Sequence, residues 1–452
     1  MLFSSLTFLF YFLPAVILIH RFLPEKAQNP FLFAASLVFY AWGEIRYVPL
    51  FFVLLVLDYL LGRGLQSARR QAVRRLLLTA GILADIGALL YYKYSGFLLD
   101  TLGMGGRFPT PATLPLGISF FTFQAVGYLV DVYRRQTEAE KDVIAFGTFL
   151  FLFPQLIAGP IVRYSDMKQA LHVHRRPDAA AMDKGMALFI AGLASKVLLA
   201  NPLGALSDEL HAVTGDSACQ WAFLTVYNLH VYFDFWGYSV MALGMGRMLG
   251  FRFPQNFNHP YAADSITDFW RRWHITLSGW FRDYVYIPLG GSRKGNGRTI
   301  FNMLVVWLLT GFWHGAGWTY IGWGLWFYVS LLFDKYVLKP LRLPGVVRRL
   351  HMILCMVLSY AVFTAPDLKG AWDMVVTLFS FRSGGTALFW LRENLLLLIV
   401  SVACCVPAVI GLGKRLLARR TWLRCACMTA LLVLCLAALA KSSYNPFLYF
   451  RF

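Results

Sequence analysis

Two histidines stand where a proton acceptor near neutral pH would be useful and costly to place. His314 lies in Gly311-Phe312-Trp313-His314-Gly315-Ala316-Gly317-Trp318, between two apolar runs. A shielded imidazole can take the proton of an attacking hydroxyl. The flanking glycines admit other backbone or a substrate at close range, and Trp313 and Trp318 supply rigid apolar walls. The same context also suits an interfacial histidine in an aromatic belt. His274 closes Asp268-Phe269-Trp270-Arg271-Arg272-Trp273-His274. On a helix, Asp268 meets Arg271 and Arg272 three and four residues on, and Trp270 shares a face with His274. That pattern fits a polar helix facing a cavity walled by Trp270 and Trp273. It also fits an amphipathic helix lying at the headgroups.

Further polar groups follow. Arg282, Asp283, Tyr284 and Tyr286 lead into Pro288-Leu289-Gly290-Gly291-Ser292-Arg293-Lys294-Gly295. Glycines with Arg293, Lys294 and Arg298 could hold the phosphates of a coenzyme A, or form a basic cytoplasmic loop. Asn256, Asn258 and His259 line an entrance or simply make a polar loop. His230 lies in an apolar run with Asp234, which could pair with it or with an arginine. There is no G-x-S-x-G elbow, no H-E-x-x-H and no phosphate-binding G-x-x-x-x-G-K-[ST]. Gly244-Met245-Gly246-Arg247 lacks the third glycine of a dinucleotide loop. Seven cysteines show neither C-x-x-C nor zinc spacing, so no metal is expected.

The elements that must position these groups belong to a membrane protein. Of 452 residues, 58% are hydrophobic and 14% charged, against roughly 25% charged in soluble domains. Apolar runs recur along the whole chain, and at about 20 residues per crossing there is room for about 10–14 transmembrane or re-entrant helices. The formal charge of +19 sits largely in short loops between those runs, as the positive-inside rule requires, which removes the reason to invoke nucleic acid. The first 22 residues lack a basic n-region and a cleavage site, so they read as a retained first span. Runs at 30–42 and 48–62 should form a hairpin, because the arginines at 63, 69, 70, 74 and 75 mark the cytoplasmic side. Segment 143–160 is apolar but holds Pro154, Gly159 and Pro160 between two inside loops. That predicts a re-entrant segment, which is tolerated only where protein or a water-filled cavity surrounds it. Asp85 interrupts the 76–94 run. Spans resume near 300–312, 316–336, 350–365, 390–411 and 422–440, with no internal repeat.

Taken in order, these segments resemble the membrane-bound O-acyltransferase family, in its bacterial branch containing the alginate O-acetylation membrane protein. The likeness is carried by Met1 to Pro14, Pro115 to Gln124, Asp131-Val132-Tyr133-Arg134 and Phe153 to Arg163. It is most specific at Phe269 to Leu277, Arg282 to Gly291 and Phe312-Trp313-His314-Gly315, and it continues into the tail, Tyr444 to Phe452. The resemblance implies an all-α polytopic fold, one domain over residues 1–452, with spans ringing a thin central funnel. It implies that His314 is catalytic and His274 a second active-site residue, with Trp313, Trp270, Trp273, Arg282, Asn258, Arg293 and Lys294 at the substrates. It further implies an acyl thioester donor, acetyl-CoA or an acyl carrier protein, on the cytoplasmic side of a bacterial inner membrane. An exported acetyltransferase-like partner and a cell-surface polysaccharide would take the acyl group outside, with membrane lipid around the protein. A rival within the family is D-alanyl transfer to teichoic acid. A rival of another class, a transporter or polysaccharide export channel, predicts paired carboxylates at mid-membrane and repeated halves.

Overall fold

The computed structural model describes residues 1–111, 113–157 and 159–441; the tail from Tyr444 to Phe452 and Ala158 of the proline-rich match lie outside them. All regular structure among the described residues is helical. The chain forms two compact units, Met1–Phe189 with Tyr238–Gln255, and Ile190–Gly237 with Asn256–Phe452.

In the first unit, Glu25–Glu44 and Val48–Ser67 are 20-residue helices joined through Ile45–Tyr47. Each is about 30 Å long, enough to cross the hydrocarbon. They double back on each other. Along one continuous helix Phe33 and Phe52 would stand about 28 Å apart (19 × 1.5 Å), yet their ring centroids are 6.1 Å apart. The reversal follows from Glu44, whose backbone leaves the helical region at φ −139° and ψ 44°. The expected hairpin is therefore present. Between its ends and its turn, over 31–43 and 48–62, its exposed side chains are apolar, Val53 and Leu60 among them, as lipid contact requires.

The apolar run at 143–160 does not continue as one helix. Val143–Phe151 is nine residues long, about 13 Å, well short of a crossing. The backbone turns at Leu152 before the single turn Phe153–Leu156, and every residue of both helices except the first two is buried. The break is repaired by protein. Ser36 Oγ accepts from the Phe153 amide at 3.1 Å, and the Gln155 amide donates to the Phe149 carbonyl. Thr148 Oγ1 donates to the Asn29 carbonyl at 3.1 Å. Asp85 has a neighbour that its own apolar run does not reveal: it is fully buried close to Asp58 of the preceding helix, also fully buried.

By length and apolarity, Ala179–His211, Gly345–Phe363 and Thr421–Lys441 also qualify as spans, and Thr386–Glu393 with Leu395–Cys405 forms a pair bent by 71°. Many of the remaining apolar runs are shorter or broken helices, which is why a count by runs exceeds a count by continuous helices.

The second unit carries both histidines. Gly295–His314 and Trp318–Phe333 form a tight helical hairpin with His314 at its turn. Backbones meet at two glycines. A Cβ on Gly324 would lie 2.3 Å from the Trp307 carbonyl oxygen, and one on Gly311 would lie 2.4 Å from that of Tyr320. Small residues allow this approach within a membrane. Gly324→Val should therefore pry the hairpin apart. Overpacking of this kind costs about 1–3 kcal/mol. The expected result is a lower thermal unfolding midpoint for the purified protein in detergent; an unchanged midpoint would show that the crossing is looser than described.

Candidate active site

His274 occupies a backbone conformation that few residues adopt. Ile266–Arg272 is a short helix, opened by Ser265, whose side chain accepts from the Asp268 amide at 3.1 Å. Asp268 pairs with Arg272 at 2.8 Å, as the spacing predicts. The helix then stops. His274 has φ +44° and ψ 53°, and a second short helix, Ile275–Phe281, begins after it. Trp270 and His274 are thus not one turn apart on a continuous helix. The left-handed residue costs about 1–2 kcal/mol, and such residues cluster where function holds them.

The segment from Asn256 to Asn258 repairs the break. The Ile275 amide donates to the Asn256 carbonyl and the Asn258 amide to the Arg272 carbonyl, both at 2.9 Å. Asn256, fully buried, also fixes the imidazole. Its Oδ1 accepts from the Thr276 amide at 3.3 Å and from Thr276 Oγ1 at 3.0 Å, and lies 3.1 Å from His274 Nδ1. Because an amide N–H can only donate, that oxygen is the acceptor, so His274 Nδ1 carries the hydrogen. Nε2 is left with a lone pair and no protein partner among the described residues. Burial pushes the His274 imidazole well below its usual titration range, and the neighbouring His314 adds to this. It is neutral, with Nε2 able to accept a hydrogen bond.

His314 and His274 both line a cavity of about 700 Å³, within the size range of small-molecule sites. One face of the Gly295–His314 helix runs along it, through Thr299, Met303, Val306, Thr310 and His314. That face is about 22 Å long (15 × 1.5 Å). Arg271, Arg282 and Lys335 line the same cavity and are exposed. Arg282 is held by Asp283 through 2.7 and 3.1 Å hydrogen bonds. Arg282 and Lys335 both sit in wide helical turns, Arg282–Tyr286 and Asp334–Leu338, a local form often found at functional sites.

His314 also lines a second, small chamber of about 30 Å³, with Asp234, Tyr360 and Phe363 among its walls. Trp270, Trp273 and His314 line both cavities; they are the partition between them. The His314 ring packs against Trp313 at 4.8 Å and Trp323 at 4.7 Å. Trp313 lies between the histidines, 5.9 Å from His274, and is buried behind the cavity walls.

Other expectations fall elsewhere. Arg293 and Lys294 are exposed and do not line the cavity. Their glycine-rich loop is folded back by Arg298, which donates to the Leu289 carbonyl at 2.8 Å, and by Asn302, which donates to that of Gly291 at 2.8 Å. Asn258 is exposed; the asparagine that meets His274 is Asn256, two residues earlier. The glycines beside His314 admit the hairpin itself: the ring of Tyr320 lies where a Gly315 side chain would be. His230 packs over Tyr227 at 6.0 Å, outside both cavities. Asp234 pairs with Lys196 at 2.6 Å. Sequence reading passed over Lys196, although a lysine inside the apolar run 186–201 is itself the signal.

The family model described as "MBOAT, membrane-bound O-acyltransferase family" matches residues 42–370. A protein of Azotobacter vinelandii named "Probable alginate O-acetylase AlgI" is 40% identical over 84% of this chain and 78% of its own. One of the same name from Pseudomonas putida is 36% identical over the full length of both. The "Peptidoglycan O-acetyltransferase" of Helicobacter pylori is 35% identical, covering 82% of this chain and 78% of that one.

The tautomer is directly measurable. In 15N-histidine NMR of the purified protein, His274 should show a protonated Nδ1 and a bare Nε2, and Asn256→Ala should mix the two forms. A protonated Nε2 in the unaltered protein would refute the arrangement.

Proposed function

Because this chain belongs to the membrane-bound O-acyltransferase family, and so is a multi-pass membrane O-acyltransferase, we propose that it moves an acetyl group from a cytoplasmic thioester for the O-acetylation of a cell-surface polysaccharide. The observation that carries this reading is the placement of His314 in the wall shared by the two cavities. One imidazole can thereby meet the reactants in the large cavity, which His274 also lines, while its other side faces the small chamber.

The donor is an acyl thioester, acetyl-CoA in the first instance. An extended pantetheine arm suits the long face from Thr299 to His314, and its phosphates suit Arg271, Arg282 and Lys335. The acceptor hydroxyl gives its proton to an imidazole nitrogen of His314 as its oxygen attacks the thioester carbonyl. The carbon–sulfur bond breaks, and the same proton passes to the departing sulfur. His274 is neutral with a bare Nε2, so it accepts a hydrogen bond from a second, non-attacking hydroxyl of the acceptor and orients it; a neutral Nε2 has no proton to offer an oxyanion. The product leaves on the outer side of a bacterial inner membrane, where an exported acetyltransferase-like partner carries the group onward. The residues at 1–452 act as one domain in this reading.

The relatives' names support acetyl as the group transferred: two are named for alginate and one for peptidoglycan O-acetylation. D-alanyl transfer is separated by asking which thioester, acetyl-CoA or an alanyl carrier protein, labels product in liposomes. The buried Asp58–Asp85 pair is the feature a transporter would share. Solute flux without acyl turnover would favour that alternative.

His314→Ala should abolish polysaccharide acetylation in cells while the protein still inserts and folds, consistent with loss of a general base worth about 10²–10⁴ in rate. Normal acetylation in that variant would reject the assignment. Arg271→Gln combined with Lys335→Gln should raise the donor KM at least several-fold with kcat little changed, since exposed charges act in binding; the same change at Arg293 and Lys294 should leave KM near its original value.

A further inference from the structure

A buried ion pair adjoins the small chamber. Lys196 and Asp234 are each 1% exposed and 2.6 Å apart. Lys196 is mid-way along the membrane-length stretch Ala179–His211, and Asp234 is mid-way along Ser217–Met248. A charge at that depth is expensive and is a functional candidate by default. The pair is held firmly. Ser195 Oγ donates to the Phe233 carbonyl at 2.9 Å, and a Cβ on Gly237 would lie 2.8 Å from the Gly192 carbonyl oxygen. The two helices therefore touch backbone to backbone beside the pair. Lys196 also lies in a wide turn, Ser195–Ala200, another helical irregularity at the site.

Ten residues line the chamber, and apart from Tyr360 and the indoles of Trp270, Trp273 and Trp323 only Asp234 and His314 among them carry polar side-chain groups. Its volume of about 30 Å³ exceeds the roughly 10–15 Å³ that one water needs. A purely structural ion pair has no reason to face the reacting imidazole across such a space. We propose that Asp234, steadied by Lys196, is a positioning residue for His314: across the small chamber its carboxylate supplies the counter-charge to the imidazolium formed while His314 holds the acceptor's proton. This rests on the acyl-transfer reading and adds to it a named source of stabilisation on the side opposite the donor cavity.

The electrostatic argument has a sign. In a shielded site an opposite charge favours the charged imidazole. The titratable and charged groups facing His314 are Asp234 and Tyr360 in the chamber, with Lys196 behind Asp234, and His274, Arg271, Arg282, Tyr286 and Lys335 in the large cavity. Of these only Asp234 brings a carboxylate, and Lys196 opposes it at close range. Removing the carboxylate must make the imidazolium harder to form. Removing the ammonium must make it easier.

The test uses the full-length protein in liposomes with the donor that supports turnover. Asp234→Asn should lower kcat about 10–100-fold, leave the donor KM unchanged, and move the acid limb of the rate profile to lower pH. Lys196→Met should move that limb to higher pH. Opposite shifts are a signature that a merely structural pair would not give; equal profiles, or shifts of the same sign, would overturn the proposal. Should either single variant fail to fold, Lys196→Met with Asp234→Leu replaces the pair by apolar groups, a change that buried pairs commonly tolerate. That double variant should fold and remain at least tenfold slow. Turnover restored to the original level would reduce the pair to a structural role. Total loss of activity in His314→Ala, with wild-type behaviour in all three pair variants, would sink this inference and leave the acyl-transfer reading standing.

Discussion

Every buried backbone amide and carbonyl needs a partner, and the site depends on meeting that demand at one broken helix. At Trp273 and His274 the chain leaves helical geometry, and His274 adopts a left-handed conformation. The Asn256–Asn258 segment takes up the freed groups, and the same asparagine side chain then dictates which imidazole nitrogen carries the hydrogen. Backbone repair and chemical preparation are one interaction. A break at Leu152 in the first unit is met in the same manner, by Ser36.

The opposite economy governs His314. It ends an unbroken 20-residue helix and owes its place to packing. Gly311 and Gly324 bring the two arms of the hairpin into backbone contact, and Trp313, Trp323 and Phe363 surround the ring. A rigid aromatic wall holds the imidazole in place. Trp270, from the short helix before the break, and Trp273, at the break itself, complete the partition, so both kinds of anchoring converge on the same three side chains.

These differences explain what could be read in advance. His314 and His274 are polar residues in apolar or aromatic surroundings, and that cost is visible in a sequence. The hairpin at 30–62 was visible too, because two apolar runs were followed by a block of arginines. Asn256 and Asn258 differ only in register, and the choice between them is made by a strand-like segment lying against a break that helical periodicity does not announce. Arg293 and Lys294 looked like phosphate ligands because a basic loop on the inner side of a membrane looks the same whether it binds anions or merely fixes orientation. It took Arg298 and Asn302, folding that loop back on itself, to exclude it from the cavity. Asp234 was noticed, but its partner was sought among histidine and arginine. Lys196 was hidden by the general expectation that apolar runs are uniform.

Charge is graded through the second unit in a way that acyl transfer requires. Arg271, Arg282 and Lys335 are exposed, where water lowers the cost of keeping them charged and where an anionic donor would first be met. Deeper in, the groups are neutral or compensated: His274 is held uncharged, and Asp234 is balanced by Lys196. In the proposed transfer, a proton moving from a hydroxyl to His314 and on to a sulfur would create charge only briefly, in surroundings where a permanent, unpaired charge would be prohibitive. A site built of one neutral imidazole, His274, beside a compensated pair can host that transient without having to support it at rest.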